Sequence, residues 1–299
     1  MKQLVILSGK GGTGKTSLTA AFAYLAVQDD YPIRIVLADA DVDAANLELV
    51  LAPELDDRED FWGGQVAQID LSICAGCGTC QAVCRFDAIH DKENTYWIDP
   101  IACDGCAACV YQCPEEAIRM QPQLAGEWFR SQSRYGPLFH AALRPAQENS
   151  GKLVTLVKQN ARLLAMDEDY PLVLVDGPPG IGCPVISAVS GADLALIVTE
   201  PSSAGIHDMQ RTLQTTAHFG VRTLVCINKA DLYPAGATEI ATFCREQGVD
   251  LIGLIPFDTN VTEAMVLGIP ITAYQPDSAA SQSLQVIWRK IGDYLESPI

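Results

Sequence analysis

Short, uniformly apolar runs recur along this chain, each followed by a stretch with helical spacing. They are Leu4–Leu7, Ile33–Leu37, Leu172–Val175, Leu194–Val198, Thr223–Ile227 and Leu251–Ile255. A strand with one face in water alternates apolar and polar residues, whereas a run apolar throughout is buried on both faces. The pattern therefore predicts parallel strands sandwiched between helices, an α/β fold with a doubly wound, mostly parallel sheet. Ser17–Val27 and Ala237–Gln247 read as two of the helices. The rhythm stops between about Gly63 and Gly126 and then resumes. This predicts a main domain in two parts, 1–63 and 126–299, with a small α+β domain inserted at 64–125, its ends close together as an insertion requires.

Two further segments are read from pattern alone. Leu284, Ile287, Trp288, Ile291 and Leu295 mark one face of a C-terminal helix. Beside them Arg289-Lys290 is offset by Asp293 and Glu296, so a docked helix is expected rather than one lying on a membrane. Trp128–Arg144 carries aromatics, bases including His140, and a turn signal at Gly136-Pro137. It reads as a lid or interdomain packing segment.

The chain has 299 residues, 48% of them hydrophobic, and a formal net charge of −17. That charge, with no Lys/Arg run, argues against nucleic acid and anionic lipid as partners. No apolar stretch approaches the roughly 18 residues that span a bilayer. With no signal-like segment ahead of the first strand, a reducing cytoplasm at low oxygen is the expected location.

Eight of the 11 cysteines fall in two matching runs, Cys74-x2-Cys77-x2-Cys80-x3-Cys84 and Cys103-x2-Cys106-x2-Cys109-x3-Cys113-Pro114. Zinc sites pair C-x2-C knuckles across a long spacer, which this spacing does not match. Disulfides suit a secreted chain, and no signal-like segment is expected here. It is the ligand pattern of bacterial ferredoxins, in which the fourth cysteine of each run reaches the other cluster. Cys74, Cys77, Cys80 and Cys113 are thus expected on one [4Fe–4S] cluster, and Cys103, Cys106, Cys109 and Cys84 on a second. The runs are followed by Phe86-Asp87-Ala88-Ile89 and Glu115-Glu116-Ala117-Ile118, a degenerate internal repeat. Arg85 stands where a proline often follows the fourth cysteine, which bears on the turn and not on ligation.

Gly9-Lys10-Gly11-Gly12-Thr13-Gly14-Lys15-Thr16 satisfies G-x4-G-K-[ST] between a strand and a helix that begins near Ser17. Glycines let backbone N–H groups close around phosphates, and the helix N-terminus favours the anion. Lys15 is expected at the β/γ-phosphates and the Thr16 hydroxyl on Mg²⁺. With Lys10, the form K-G-G-x-G-K-T resembles the deviant Walker A ATPases: the MinD/ParA group, the Mrp-type iron–sulfur carriers and the nitrogenase iron protein. Asp39-Ala40-Asp41-Val42-Asp43-Ala44-Ala45-Asn46-Leu47 is similar to that family's first switch, and Asp176-Gly177-Pro178-Pro179-Gly180 to its Walker B and second switch.

The resemblance implies a nucleotide-sandwich dimer, homo- or heteromeric, in which Lys10 reaches the partner's phosphates. It implies that Asp39 lies near Mg²⁺, that Asp41 orients the attacking water, that Asp176 holds Mg²⁺ through water, and that Gly180 senses the γ-phosphate. Asn228-Lys229-Ala230-Asp231 is similar to the base-reading N-K-x-D of P-loop proteins. Asp231 alone suggests guanine, whereas the family's Asn contacts adenine, so ATP is expected.

Of the remaining cysteines, Cys226 and Cys244 read as buried small hydrophobes. Cys183 follows the second switch and is expected to be a packed or redox-silent thiol. It matches in spacing a cluster-binding cysteine of the nitrogenase iron protein, but that protein's second cysteine has no counterpart here. The chain most resembles MinD-superfamily ATPases containing an inserted ferredoxin domain. The expected function is a MgATPase that couples nucleotide state to two clusters, for electron transfer or for metallocluster transfer to a client protein. The alternative is a Min/Par-type spatial-organisation ATPase with structural or sensing clusters.

Overall fold

The computed structural model describes residues 1–28, 32–92, 95–145 and 150–296. The strands are β1 (Lys2–Ser8), β2 (Ile35–Asp39), β3 (Glu54–Ile69), β4 (Ile89–Lys92), β5 (Thr95–Ile98), β6 (Ile118–Ser133), β7 (Gly136–Leu143), β8 (Leu172–Pro179), β9 (Leu194–Thr199), β10 (Arg222–Asn228) and β11 (Asp250–Ile255). The helices are α1 (Lys15–Gln28), α2 (Leu47–Leu51), α3 (Thr79–Val83), α4 (Ala108–Gln112), α5 (Ser150–Asp167), α6 (Cys183–Val189), α7 (Ser203–His218), α8 (Pro234–Gln247), α9 (Asn260–Val266), α10 (Ile271–Tyr274) and α11 (Ala279–Glu296).

A nine-stranded sheet runs in the order β11-β10-β9-β1-β8-β2-β7-β6-β3. The pairings from β11 across to β7 are all parallel. The fold class is thus α/β with a mostly parallel central sheet, as the apolar runs predict. The reason is visible in β1, β8 and β9, whose apolar residues on both faces are shut off from solvent. Phe22 of α1 stacks on Trp288 of α11 at 5.3 Å between ring centroids, closing the core on one side of the sheet. The predicted face of α11 is the buried one: Leu284, Ile287, Trp288 and Ile291 lie in that core. No described helix is long and apolar enough to cross a membrane.

The segment Trp128–Arg144 is not a lid: it forms the end of β6, the two-residue turn Arg134-Tyr135, and β7. A two-residue connection requires antiparallel strands, so this hairpin breaks the parallel run. The turn works because Gly136 takes a φ of +143°, and a Cβ there would meet the Ile35 carbonyl oxygen at 2.3 Å. Inside the hairpin, His140 Nε2 lies 2.9 Å from Ser131 Oγ and Nδ1 lies 3.0 Å from Glu48 of α2. Burial pushes His140 down to about 4, so the ring is neutral at physiological pH.

The chain divides into two compact units, one containing Met1–Glu59, Trp128–Ala142 and Ser150–Ile299, the other centred on Asp60–Glu127. The second unit repeats itself. Gly78 (φ +74°) and Ala107 (φ +60°) precede α3 and α4 in the same left-handed conformation. Cys84 (φ −76°, ψ 115°) and Cys113 (φ −77°, ψ 113°) end them alike. Its core contains Ala67, Cys80, Ile89, Tyr96, Cys109 and Ile118.

Trp288 supplies the largest side chain that α11 buries, so Trp288→Ala should cost about 3–5 kcal/mol of stability. Val286→Ala, at a half-exposed position of the same helix, should stay within about 0.5 kcal/mol. Urea midpoints measured at a common slope check both values.

Candidate functional site

In a doubly wound sheet the ligand site lies beyond the carboxyl ends of the strands. β1, β2, β8, β9 and β10 deliver, in turn, the Gly9–Gly14 loop, Asp39, Asp176, Glu200 and Asn228 to that edge. Register places Asp39 directly opposite Asp176 on neighbouring strands. A cavity of ≈ 700 Å³ opens here, its polar wall including Gly11, Gly12, Gly14, Lys15, Thr16, Asp41 and Asn228. The opposite wall is apolar, with Ile255, Val261, Met265 and Leu284.

The loop can form because Gly12 and Gly14 take left-handed φ values of +78° and +96°. Asn228 braces it from outside: its Nδ2 donates to the Thr13 carbonyl oxygen at 2.8 Å. A Cβ on Gly14 would meet that same Nδ2 at 2.5 Å. Ser17 Oγ donates to Met265 Sδ at 3.0 Å, tying α1 to the cavity's apolar wall.

Asp39 and Asp176 are both fully shielded from solvent. Thr16 Oγ1 and Thr19 Oγ1 donate to the two oxygens of Asp176, at 2.7 and 3.1 Å. Asp39 receives the backbone N–H groups of Asp41, Asn46 and Leu47 at 3.0–3.2 Å, which organises the loop 40–46. Burial, more than the hydrogen bonds and Lys15 offset, pushes Asp176 up to about 6. Asp39 is raised well above the carboxylate range by burial and by the charge of Asp176. Asp41 is raised by burial while nearby Lys15 pulls it back. Gly180 (φ +89°) gives its N–H to the Ser8 carbonyl oxygen at 2.9 Å.

Lys10 and Asp231 do not line the cavity. Lys10 Nζ is held by Glu200 at 2.8 Å, and Asp231 accepts the Phe257 N–H at 2.6 Å. Glu200 and Lys229 are the pair that sequence reading missed. Lys229 sits within the N-K-x-D motif, lines the cavity, and lies 2.6 Å from the other Glu200 oxygen. Burial raises Glu200, but the two lysines outweigh it and hold the carboxyl below its usual range. Nothing in the sequence ties Glu200 to Lys10, because no motif spacing covers that pair.

The cysteine runs gather around two small hollows. One is lined by Cys74, Cys77, Cys80 and Cys113, the other by Cys103, Cys106, Cys109 and Cys84. Each hollow therefore takes three cysteines from one run and the fourth from the other. Among the described residues no group of three or more His, Cys, Asp or Glu is set to hold a metal ion. A single ion draws thiolates to about 2.3 Å, whereas a four-iron cluster fills more space and holds its ligands further apart. Cys226 and Cys244 are packed thiols, pushed by burial to about 12 and about 11. The packing expected of Cys183 is corrected: it opens α6 on the exposed side, while Val185, Ala188 and Val189 are the residues that helix buries.

Comparison with known proteins gives a consistent family. The model of the CobQ/CobB/MinD/ParA nucleotide binding domain matches residues 4–271. An uncharacterized protein of Methanocaldococcus jannaschii is 30% identical over 98% of this chain and 97% of its own length. An uncharacterized ATP-binding protein of the same organism is 25% identical over 96% of this chain and 86% of its own. The MinD cell division protein of Aquifex aeolicus shares the fold with a TM-score of 0.58, covering 100% of this chain and 99% of that one at 21% identity.

Asp176 is an acid whose folded pKa lies above its unfolded value. The native state therefore binds more protons between about pH 4 and 6, and this group's contribution to stability is lost as pH rises through that window. Asp176→Asn should accordingly make the nucleotide-free protein more stable at pH 7, on the order of 1–3 kcal/mol, and flatten its stability between pH 4 and 6. Paired urea titrations across that range check the sign.

Proposed function

This chain belongs to the CobQ/CobB/MinD/ParA nucleotide-binding family. From that premise we propose that it binds and hydrolyses MgATP as a homo- or heterodimer and couples nucleotide state to two [4Fe–4S] clusters. The output is electron transfer or metallocluster transfer to a client protein. The observation that carries the ATPase reading is the buried carboxylate pair Asp39/Asp176 at the foot of a phosphate-sized loop, with Lys15 alongside. Two desolvated carboxylates in register, too few cations near them, are the donor set a hard divalent ion relieves.

In this reading the N–H groups of Gly11–Gly14 cradle the phosphates and Lys15 meets the β/γ-oxygens. Thr16 Oγ1 and Asp176, the latter through water, would hold Mg²⁺, whose charge offsets that developing on the phosphates. Asp41, on the cavity wall, orients the attacking water. Asp39 fixes the loop that carries it. Asn228 lines the cavity and Asp231 does not, so the base-side contact falls to Asn228 and not to the guanine-reading acid; ATP is the nucleotide.

Lys10 leaves Glu200 when a partner's phosphates come within reach. Gly180, whose N–H bonds to Ser8 here, answers the γ-phosphate. The thiolates of each hollow match the ligand set of one [4Fe–4S] cluster, with the fourth ligand crossing between runs. A bound cluster supplies one-electron chemistry.

The likeness to MinD in fold favours a second reading, a spatial-organisation ATPase with structural or sensing clusters. Its membrane or DNA attachment would need a free amphipathic helix or a basic face. Here α11 is packed into the core and the net charge is −17. ATP-dependent co-sedimentation with anionic liposomes or DNA would decide for it.

Lys15→Ala should weaken ATP binding in a nucleotide titration. Asp41→Ala should leave binding largely intact and slow kcat by about 10²-fold or more. Lys10→Ala should bind nucleotide but lose hydrolysis that depends on dimerisation; a wild-type rate would refute the shared-site dimer. Anaerobically purified protein should carry about eight irons per chain, as two four-iron clusters require. Stoichiometric zinc in place of iron would overturn the cluster reading.

A further inference from the structure

We propose that the two cysteine hollows are inequivalent: the one lined by Cys74, Cys77, Cys80 and Cys113 is the site of higher reduction potential, and Thr79 and Tyr96 make it so. The inference rests on the two-cluster reading above and adds to it which site holds the electron.

The backbone offers little to tell the hollows apart. The residues before α3 and α4 share a left-handed conformation, the closing cysteines agree within a few degrees, and Asp87 (φ +49°) repeats as Glu116 (φ +51°). Backbone conformation is therefore nearly the same at both sites. One backbone donor, the Ala117 N–H 3.3 Å from Cys113 Sγ, belongs to the first hollow, and the remaining difference lies in the side chains. Charge does not supply it. Each hollow has one exposed carboxylate on its lining, Glu115 in the first and Asp104 in the second.

Hydroxyls do differ. Thr79 Oγ1 lies 3.4 Å from Cys77 Sγ, and the matching position in the second run is Ala108. Tyr96 also lines the first hollow, buried, with its hydroxyl over the cysteine loop: a Cβ on Gly78 would lie 2.8 Å from it. The second hollow has Phe86, Ile98, Ala107 and Ala108 in its wall and no Ser, Thr or Tyr among its lining residues.

A ligating cysteine is a thiolate and only accepts, so Thr79 must be the donor in the loaded protein. A hydrogen bond to the sulfur stabilises the more negative, reduced form and raises the potential. One electron from an external low-potential one-electron donor then settles at the first site. No bond is made or broken, and no proton moves.

The test uses the full chain, purified anaerobically, with dithionite as the donor. Iron is counted and the two midpoint potentials are read by EPR-monitored titration. In the wild type the first electron should favour one site by about tenfold or more, which is about 59 mV for a one-electron couple. Thr79→Val and Tyr96→Phe, which remove only hydroxyls, should each lower the higher potential and leave the lower one in place. Ala108→Thr should raise the lower potential, so the inference stays testable even if a first-site variant fails to load iron.

About eight irons with both potentials unmoved in these variants, or movement of the lower one in Thr79→Val, overturns the inference alone. Wild-type protein without the iron overturns the cluster reading, and the inference with it.

Discussion

The constraint on which the nucleotide-binding unit depends is the placement of two carboxylates, Asp39 and Asp176, opposite one another at the buried edge of a parallel sheet. Burial alone would drive both toward the neutral form. Thr16 and Thr19 satisfy one carboxylate, and the N–H groups of the 40–46 loop satisfy the other. The same bonds fix the start of α1 and the entry to α2. The shape of the cavity's polar wall and the two carboxyl groups behind it thus have a single origin.

A second tie joins the loop to the neighbouring strand ends. Glu200 at the end of β9 bonds two lysines from distant parts of the chain, Lys10 beside the loop and Lys229 after β10. Lys229 also donates to the Gly12 carbonyl oxygen at 3.2 Å, so the loop, β9 and β10 meet in one charged cluster. Near the surface such a cluster adds modest stability; its larger effect is to fix where each ammonium stands.

The cysteine unit obeys a different economy of structure. It has a small apolar core to which Cys80 and Cys109 themselves contribute, and it is built from two nearly identical turns and short helices. In a unit of this size, anything that bound those cysteines would be linked closely to folding, because Cys80 and Cys109 are also part of the core. Within the repeat, side chains such as Thr79 and Ala108 mark where the two turns differ.

The sequence by itself determined what is encoded over short distances. Apolar runs announced the parallel strands, glycine spacing announced the phosphate loop, and cysteine spacing announced both hollows, including the fourth residue that each borrows from the other run. The tertiary structure alone decided the rest. Trp128–Arg144 became strand because the Arg134-Tyr135 turn and Gly136 let β7 pair beside β2, and aromatic and basic residues there masked the pattern. Lys10 met Glu200, His140 met Glu48, and Asp231 turned to Phe257. Each of those contacts joins residues far apart in the chain, and such pairings follow from how the strands are ordered in the sheet, which no local spacing records.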